Sequence, residues 1–301
     1  MLGRRAAVLT ASFAAVATLA AARSAYACAS CSCGDPTFTT MGTEVPFAGR
    51  LRLGARLQYR WDAVGEPGVD RAMMHEGSLV LTGSWAPTDR LVLSAEMPLL
   101  VRDVSWPNLS HALVAGPGDA DLRARMIVLR DRAYAPENVL AITAGVKLPT
   151  SIDQVGPDGT RLPFEAQTGT GTIDPLVGLF YSHFEDPWAF FASAHVALPF
   201  AGRFEEEPGP SLRATVAGQV RLDTHVSLRA GVDARFDAPA SVRGRRDPET
   251  DAFALFVSPD FVWSPMSDLL IAIGLRIPVL QLSEQPRDEG WYVVTSIVGD
   301  V

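Results

Sequence analysis

Twelve stretches of this chain alternate apolar and polar residues with a period of two, and the links between them alternate between short and long. No other feature of the sequence limits the fold as strongly. In "GRLRLGARLQYRWDAVG", residues 49–65, Leu51, Leu53, Ala55, Leu57, Tyr59 and Trp61 take one parity. Arg50, Arg52, Arg56, Gln58, Arg60 and Asp62 take the other. A period of two sends such sets to opposite faces of a β-strand. The pattern recurs at 50–63, 74–86, 89–102, 118–130, 138–150, 171–184, 187–200, 211–222, 225–237, 252–264, 268–281 and 290–301. Nearly every stretch reaches the roughly 9–11 tilted residues that cross a bilayer.

The links decide which solvent each face meets. "PT", "DRAYAPE", "EDP", "DT" and "PMS" form a short set, while "AVGEPGVDRAM", "DVSWPNLSHALVAGPG", "SIDQVGPDGTRLPFEAQTGT", "AGRFEEEPGP", "APASVRGRRDPET" and "SEQPRDEG" form a long, polar one. Outer-membrane barrels sort their turns and loops in this way, and a soluble sandwich has no reason to. Trp85, Trp188 and Trp263 sit on the apolar parity near short links; Tyr59, Trp61, Phe200, Phe236 and Trp291 sit on it near long ones. Two aromatic girdles at the headgroup levels are thereby predicted. The expected fold is all-β: one antiparallel transmembrane β-barrel of about 12 strands, its apolar face on lipid and its arginines in the lumen.

The amino-terminal residues read as an export signal. "MLGRR" is basic, the run after it is apolar, and "AYA" precedes Cys28. The chain divides into a signal peptide at 1–27, a cysteine-containing periplasmic extension at 28–48 and a barrel at 49–301. The chain carries 26 basic and 34 acidic residues, and the signal removes Arg4, Arg5 and Arg23 but no acid. So acidic a mature chain lacks the basic footprint of nucleic-acid binding. Outer-membrane lipid and small solutes are the expected partners.

Three sequences, "GPGDADLRARMIVLRDR", "ITAGVKLPTS" and "GTGTIDPLVGLFYSHF", are similar to the outer-membrane channel family labelled as the MetA pathway of phenol degradation. The resemblance is clearest from about 116 to 204. It implies an outer-membrane β-barrel with a transport role and brings no catalytic residues with it.

Inward parity selects Arg52, Arg56, Arg60, Arg123, Arg125, Lys147, Arg213, Arg221, Arg229, Arg235 and Arg276. The acids selected are Glu76, Glu96, Asp121, Asp174, Asp233 and Asp260. A cationic lumen favours small polar or anionic solutes. The same groups, paired with one another, would fill the interior and leave a plugged or structural barrel. Phe180, Phe184 and Phe256 are the inward apolar candidates. Cys28, Cys31 and Cys33 open the mature chain, with Met73, Met74 and His75 as a second soft cluster. Three readings of the cysteines stay open: a disulfide with one thiol left over, a Cu or Zn site, and lipidation of Cys28. No cofactor is otherwise expected. An outer-membrane lipase is the enzymatic alternative. Ser193 and His195 share inward parity, but no Gly-x-Ser-x-Gly elbow is present, and the expectation is no enzyme. Glu205, Glu206 and Glu207 read as a solvated rim, and Arg243, Arg245 and Arg246 as possible contacts to lipid phosphates.

Overall fold

The computed structural model describes residues 48–301 apart from 67, 68, 70, 109, 134, 135, 201, 203–205, 243, 247–249 and 284–286. The export signal and the three cysteines lie outside the described residues.

Among the described residues, seventeen strands follow in order. They are β1 Leu51–Val64, β2 Ala72–Trp85, β3 Leu91–Ser105, β4 His111–Pro117, β5 Ala120–Arg130 and β6 Asn138–Leu148. After a 3-10 turn at Phe164–Ala166 come β7 Asp174–Glu185, β8 Trp188–Ala197, β9 Glu206–Glu207, β10 Ser211–Arg221 and β11 Val226–Asp237. The rest are β12 Ser241–Val242, β13 Arg245–Arg246, β14 Ala252–Met266, β15 Leu269–Leu282, β16 Arg287–Glu289 and β17 Tyr292–Asp300. Neighbouring long strands pair antiparallel around a single sheet, and β1 closes it by pairing with both β2 and β17. The result is a closed antiparallel barrel of twelve staves. Closure removes the open edges that lipid cannot satisfy.

Two staves are built from two pieces each. β4 and β5 both pair with β3, and the break at Gly118–Asp119 admits a neighbouring loop. A Cβ on Gly118 would lie 2.8 Å from Pro98 Cγ and 3.1 Å from the Thr168 carbonyl oxygen, so this close approach requires glycine. β16 and β17 both pair with β1 and are separated where Gly290 lies flat against the Trp61 ring. The sequence expectation put residues 111–117 in a loop and started the next strand at 118. The structure corrects this, because "HALVAGP" continues the stave upward along β3. The strand expected from 171 starts at Asp174, since Gly171 takes a φ of 68°. β9, β12 and β13 form a small separate sheet that alternation did not signal.

Burial follows parity. Leu57 is 60% exposed on the outside, whereas Arg56 and Arg60 beside it are 6% and 3% exposed. Trp85, Trp188 and Trp263 are exposed at the short-turn end, as are Tyr59, Phe200, Phe236 and Trp291 at the other. An apolar belt between aromatic rings, around a charged interior, is the surface that a bilayer solvates.

Candidate functional site in the lumen

The longest link, 149–173, folds into the barrel instead of standing above it. Ser151, Gln167, Thr168, Thr170 and Thr172 are all buried. Small hydroxyl side chains suit this course: Thr168 Oγ1 donates to the Pro117 carbonyl at 2.9 Å, and the Thr170 and Thr172 hydroxyls bond each other at 2.8 Å. The carboxylate of Asp119 accepts from the backbone N–H of Ser151 (3.2 Å), Thr170 (2.7 Å) and Gly171 (3.2 Å), and from Thr170 Oγ1 (3.1 Å). From the opposite side, Arg102 Nη1 donates to the Glu165 carbonyl at 2.8 Å and also to that of Gln167. Gln167 Nε2 ties the loop to itself through the carbonyls of Leu162 (2.7 Å) and Gln154 (3.1 Å). Met74, Val104 and Ala166 pack together where the 3-10 turn meets the wall. Neither Asp119 nor Arg102 emerged from the sequence as a lumen residue. Arg102 stood at the end of its predicted strand and Asp119 at the start of the next.

From Arg102 a chain of alternating charges runs along the long-loop half of the wall. Arg102 Nε donates to Glu76 at 2.9 Å, and Arg60 Nε donates to the same carboxylate at 3.0 Å. Asp62 lies 3.6 Å from both Arg60 and Arg287, and Arg287 lies 3.2 Å from Glu289. Arg235 bonds Glu289 across the intervening strands and stands 3.1 Å from Asp237, which Arg213 meets at 2.9 Å. Isolated charges buried in this way would be very costly, so pairing is a condition of the fold. Parity selected Arg60, Arg213 and Arg235 here and put Asp62 on the same face, but it passed over Arg102, Asp237, Arg287 and Glu289, which stand at strand ends or in loops.

The remaining sequence-selected residues sit lower or at the seam. Arg52 donates to Asp300 at 2.5 and 2.8 Å. Arg56 stands 3.7 Å from Glu96, and Arg123 forks onto Asp121 with two bonds of 2.8 Å. Lys147 bonds Asp174 and Thr170. Asp233 accepts from Thr215 and Ser258, and Asp260 accepts from Arg276 at 2.7 Å. Arg125 and Arg229 lie over the rings of Phe180 and Phe191 at 5.4 and 5.8 Å. Arg221 is placed differently: it is exposed at a short turn, bonded to Asp186.

Phe180, with Ile127, Val139, Ala141, Phe191 and Ala217, forms an apolar cluster against which Phe184 packs. Phe256 and Tyr292 meet at 5.2 Å on another part of the wall. The Met73, Met74 and His75 run splits by face: Met74 is buried, while Met73 is exposed and His75 bonds Tyr59 Oη at 2.9 Å on the exterior. Against the tucked loop, at Thr168, Gly169 and Thr170, lies a cavity of about 180 Å³. Arg56, Glu96, Arg123, Lys147, His195 and Arg213 contribute its polar lining, and Val80, Pro98, Leu100 and Leu176 its apolar lining. Ser193 does not line this cavity.

No protein-family model matches the chain, and no curated protein matches it. Among solved structures, it is similar to an outer membrane channel from Pseudomonas putida F1 at 16% identity, covering 86% of this chain and 97% of that one, with a TM-score of 0.67. The monoaromatic hydrocarbon channel CymD aligns at 10% identity over 89% and 91% with a TM-score of 0.45. The translocator domain of the autotransporter NalP from Neisseria meningitidis aligns at 10% identity over 86% and 91% with a TM-score of 0.49. At these identities the first likeness speaks to fold alone and the other two carry no argument. The chain has the fold of an outer-membrane β-barrel.

Proposed function

We propose that the protein is an outer-membrane channel passing small polar solutes, anions among them, passively through its lumen. The observation that supports this most is the lumen's lining of paired charges, with a polar cavity left beside the tucked loop. Such a lining presents charged groups to a passing solute without one overwhelming field. Asp62, Asp119, Asp237 and Glu289 join the lumen's acids, Arg102 and Arg287 join its bases and Arg221 leaves them, so the basic excess read from the sequence shrinks and the anion preference is modest. The name of the Pseudomonas putida neighbour is consistent with a channel role.

Planar-bilayer recording under a potassium chloride gradient tests the reading. Measurable conductance with a reversal potential on the anion side is expected, and replacing Arg56 and Arg229 by Glu should move it toward cations. A cation-selective wild type would overturn the charge argument. Complete absence of conductance would favour the second reading, a plugged structural barrel, which the tucked loop and the charge chain beside it recommend. Soft-metal binding by Cys28, Cys31 and Cys33 is a separate proposal. Stoichiometric copper or zinc, lost when all three become Ser, is its signature.

A further inference from the structure

We infer that the cavity below the tucked loop is a binding station for a small carboxylate with a compact apolar body, anchored by Arg56. As a station on a permeation path it rests on the channel reading; as a binding site it stands on its own geometry.

Arg56 is 6% exposed and lines the cavity, yet its Nε and Nη1 have no hydrogen-bond partner. Its carboxylate neighbour Glu96 lies 3.7 Å from Nη2, beyond hydrogen-bond reach. Buried guanidinium nitrogens are normally satisfied, and an orphaned pair on a side chain that lines a cavity marks a place for an acceptor. The other carboxylates around the cavity are engaged. Asp121 holds Arg123, Asp174 holds Lys147, Glu76 holds Arg60 and Arg102, and Asp119 holds the loop backbone. They therefore leave Arg56 as the donor for an incoming anion.

Beside that donor runs an apolar wall. In register from Arg56, the inner face continues through Val80 and Pro98, with Leu100 and Leu176 also on the lining. An apolar wall beside a cation suits a solute with one charged end. Volume sets its size: a cavity of about 150 Å³ accommodates a benzene ring, so about 180 Å³ holds a ring or short chain with one carboxylate. Larger solutes would require the loop to move.

The site is tested by calorimetric titration of the folded, detergent-solubilised full-length protein with benzoate, against benzyl alcohol and benzylamine. Saturable benzoate binding is expected, with no binding of the alcohol or the amine at the same concentrations. Arg56→Gln should weaken it tenfold or more, while Arg56→Lys, which keeps the charge, should retain part of it. Retention of the heat-dependent gel shift shows that each variant folds. Absence of benzoate binding to the wild type, or equal binding of the alcohol, overturns the site. So does full affinity in Arg56→Gln. Conductance is read separately in planar bilayers. Binding without conductance removes the channel reading and leaves the site, whereas conductance without binding does the reverse. If both hold, benzoate should interrupt the current in the wild type and far less in Arg56→Gln.

Discussion

Arg235 is 1% exposed and stands between Glu289 and Asp237. Truncating it to Ala removes the cation the two carboxylates share, leaving Glu289 to Arg287 and Asp237 to Arg213, and this should cost about 3–5 kcal/mol. The double variant Arg235→Met with Glu289→Gln should cost clearly less, because it removes charge from both sides. Urea unfolding in detergent micelles, followed by β-type circular dichroism, measures both. Outside the membrane, the Asp223 carboxylate accepts from the backbone N–H of His225 at 2.6 Å and Val226 at 2.8 Å. These bonds hold it below the usual value of 3.8. A lowered folded value means that the turn's extra stability is fully present above 3.8 and is lost as pH falls through the lowered value. Carbon NMR of the Asp223 carboxyl should therefore show a midpoint below 3.8, and a midpoint at or above it would remove this account of the turn. Parity made Arg235 legible, because eleven residues of unbroken alternation surround it. Glu289 was not legible: "SEQPRDEG" has no period, so nothing in the sequence showed that three of its residues pair with β1.

The inward course of the link 149–173 was the least legible element. Polarity alone reads the same for a segment in bulk water and for one satisfied by hidden carboxylates. The small hydroxyl residues and glycines clustered at 168–172 gave no separate hint, because an exposed turn has the same composition. β4 was missed for a related reason, since "HALVAGP" has apolar residues on both parities and a proline at its end. If Asp119 is the main tether of the loop, Asp119→Ala should free it and raise conductance roughly twofold or more, with the barrel still folded. Single-channel recording beside the gel-shift assay checks this. Unchanged conductance would mean that Arg102 and the packing of Ala166 suffice to hold the loop.

At the scale of the whole molecule, the twelve staves and their faces were readable because a membrane barrel has two solvents and every residue answers to one of them. An outward substitution should therefore be penalised by depth. Leu57→Arg, in the middle of β1, is expected to cost about 2–4 kcal/mol, and the same change nearer a strand end less. Urea titration in liposomes provides the comparison. The seam between β1 and β17 has a kinetic consequence. Residue 52 meets residue 300 there, so β1 keeps an unmatched edge until the far end of the chain arrives. The Arg287–Asp62 and Arg52–Asp300 pairs also span this seam, so they form in the same event that closes the sheet. Before that moment the inner arginines and carboxylates must remain hydrated. Shutting the cylinder and dehydrating its interior are therefore one transition, and a half-shut barrel has no comfortable place to rest.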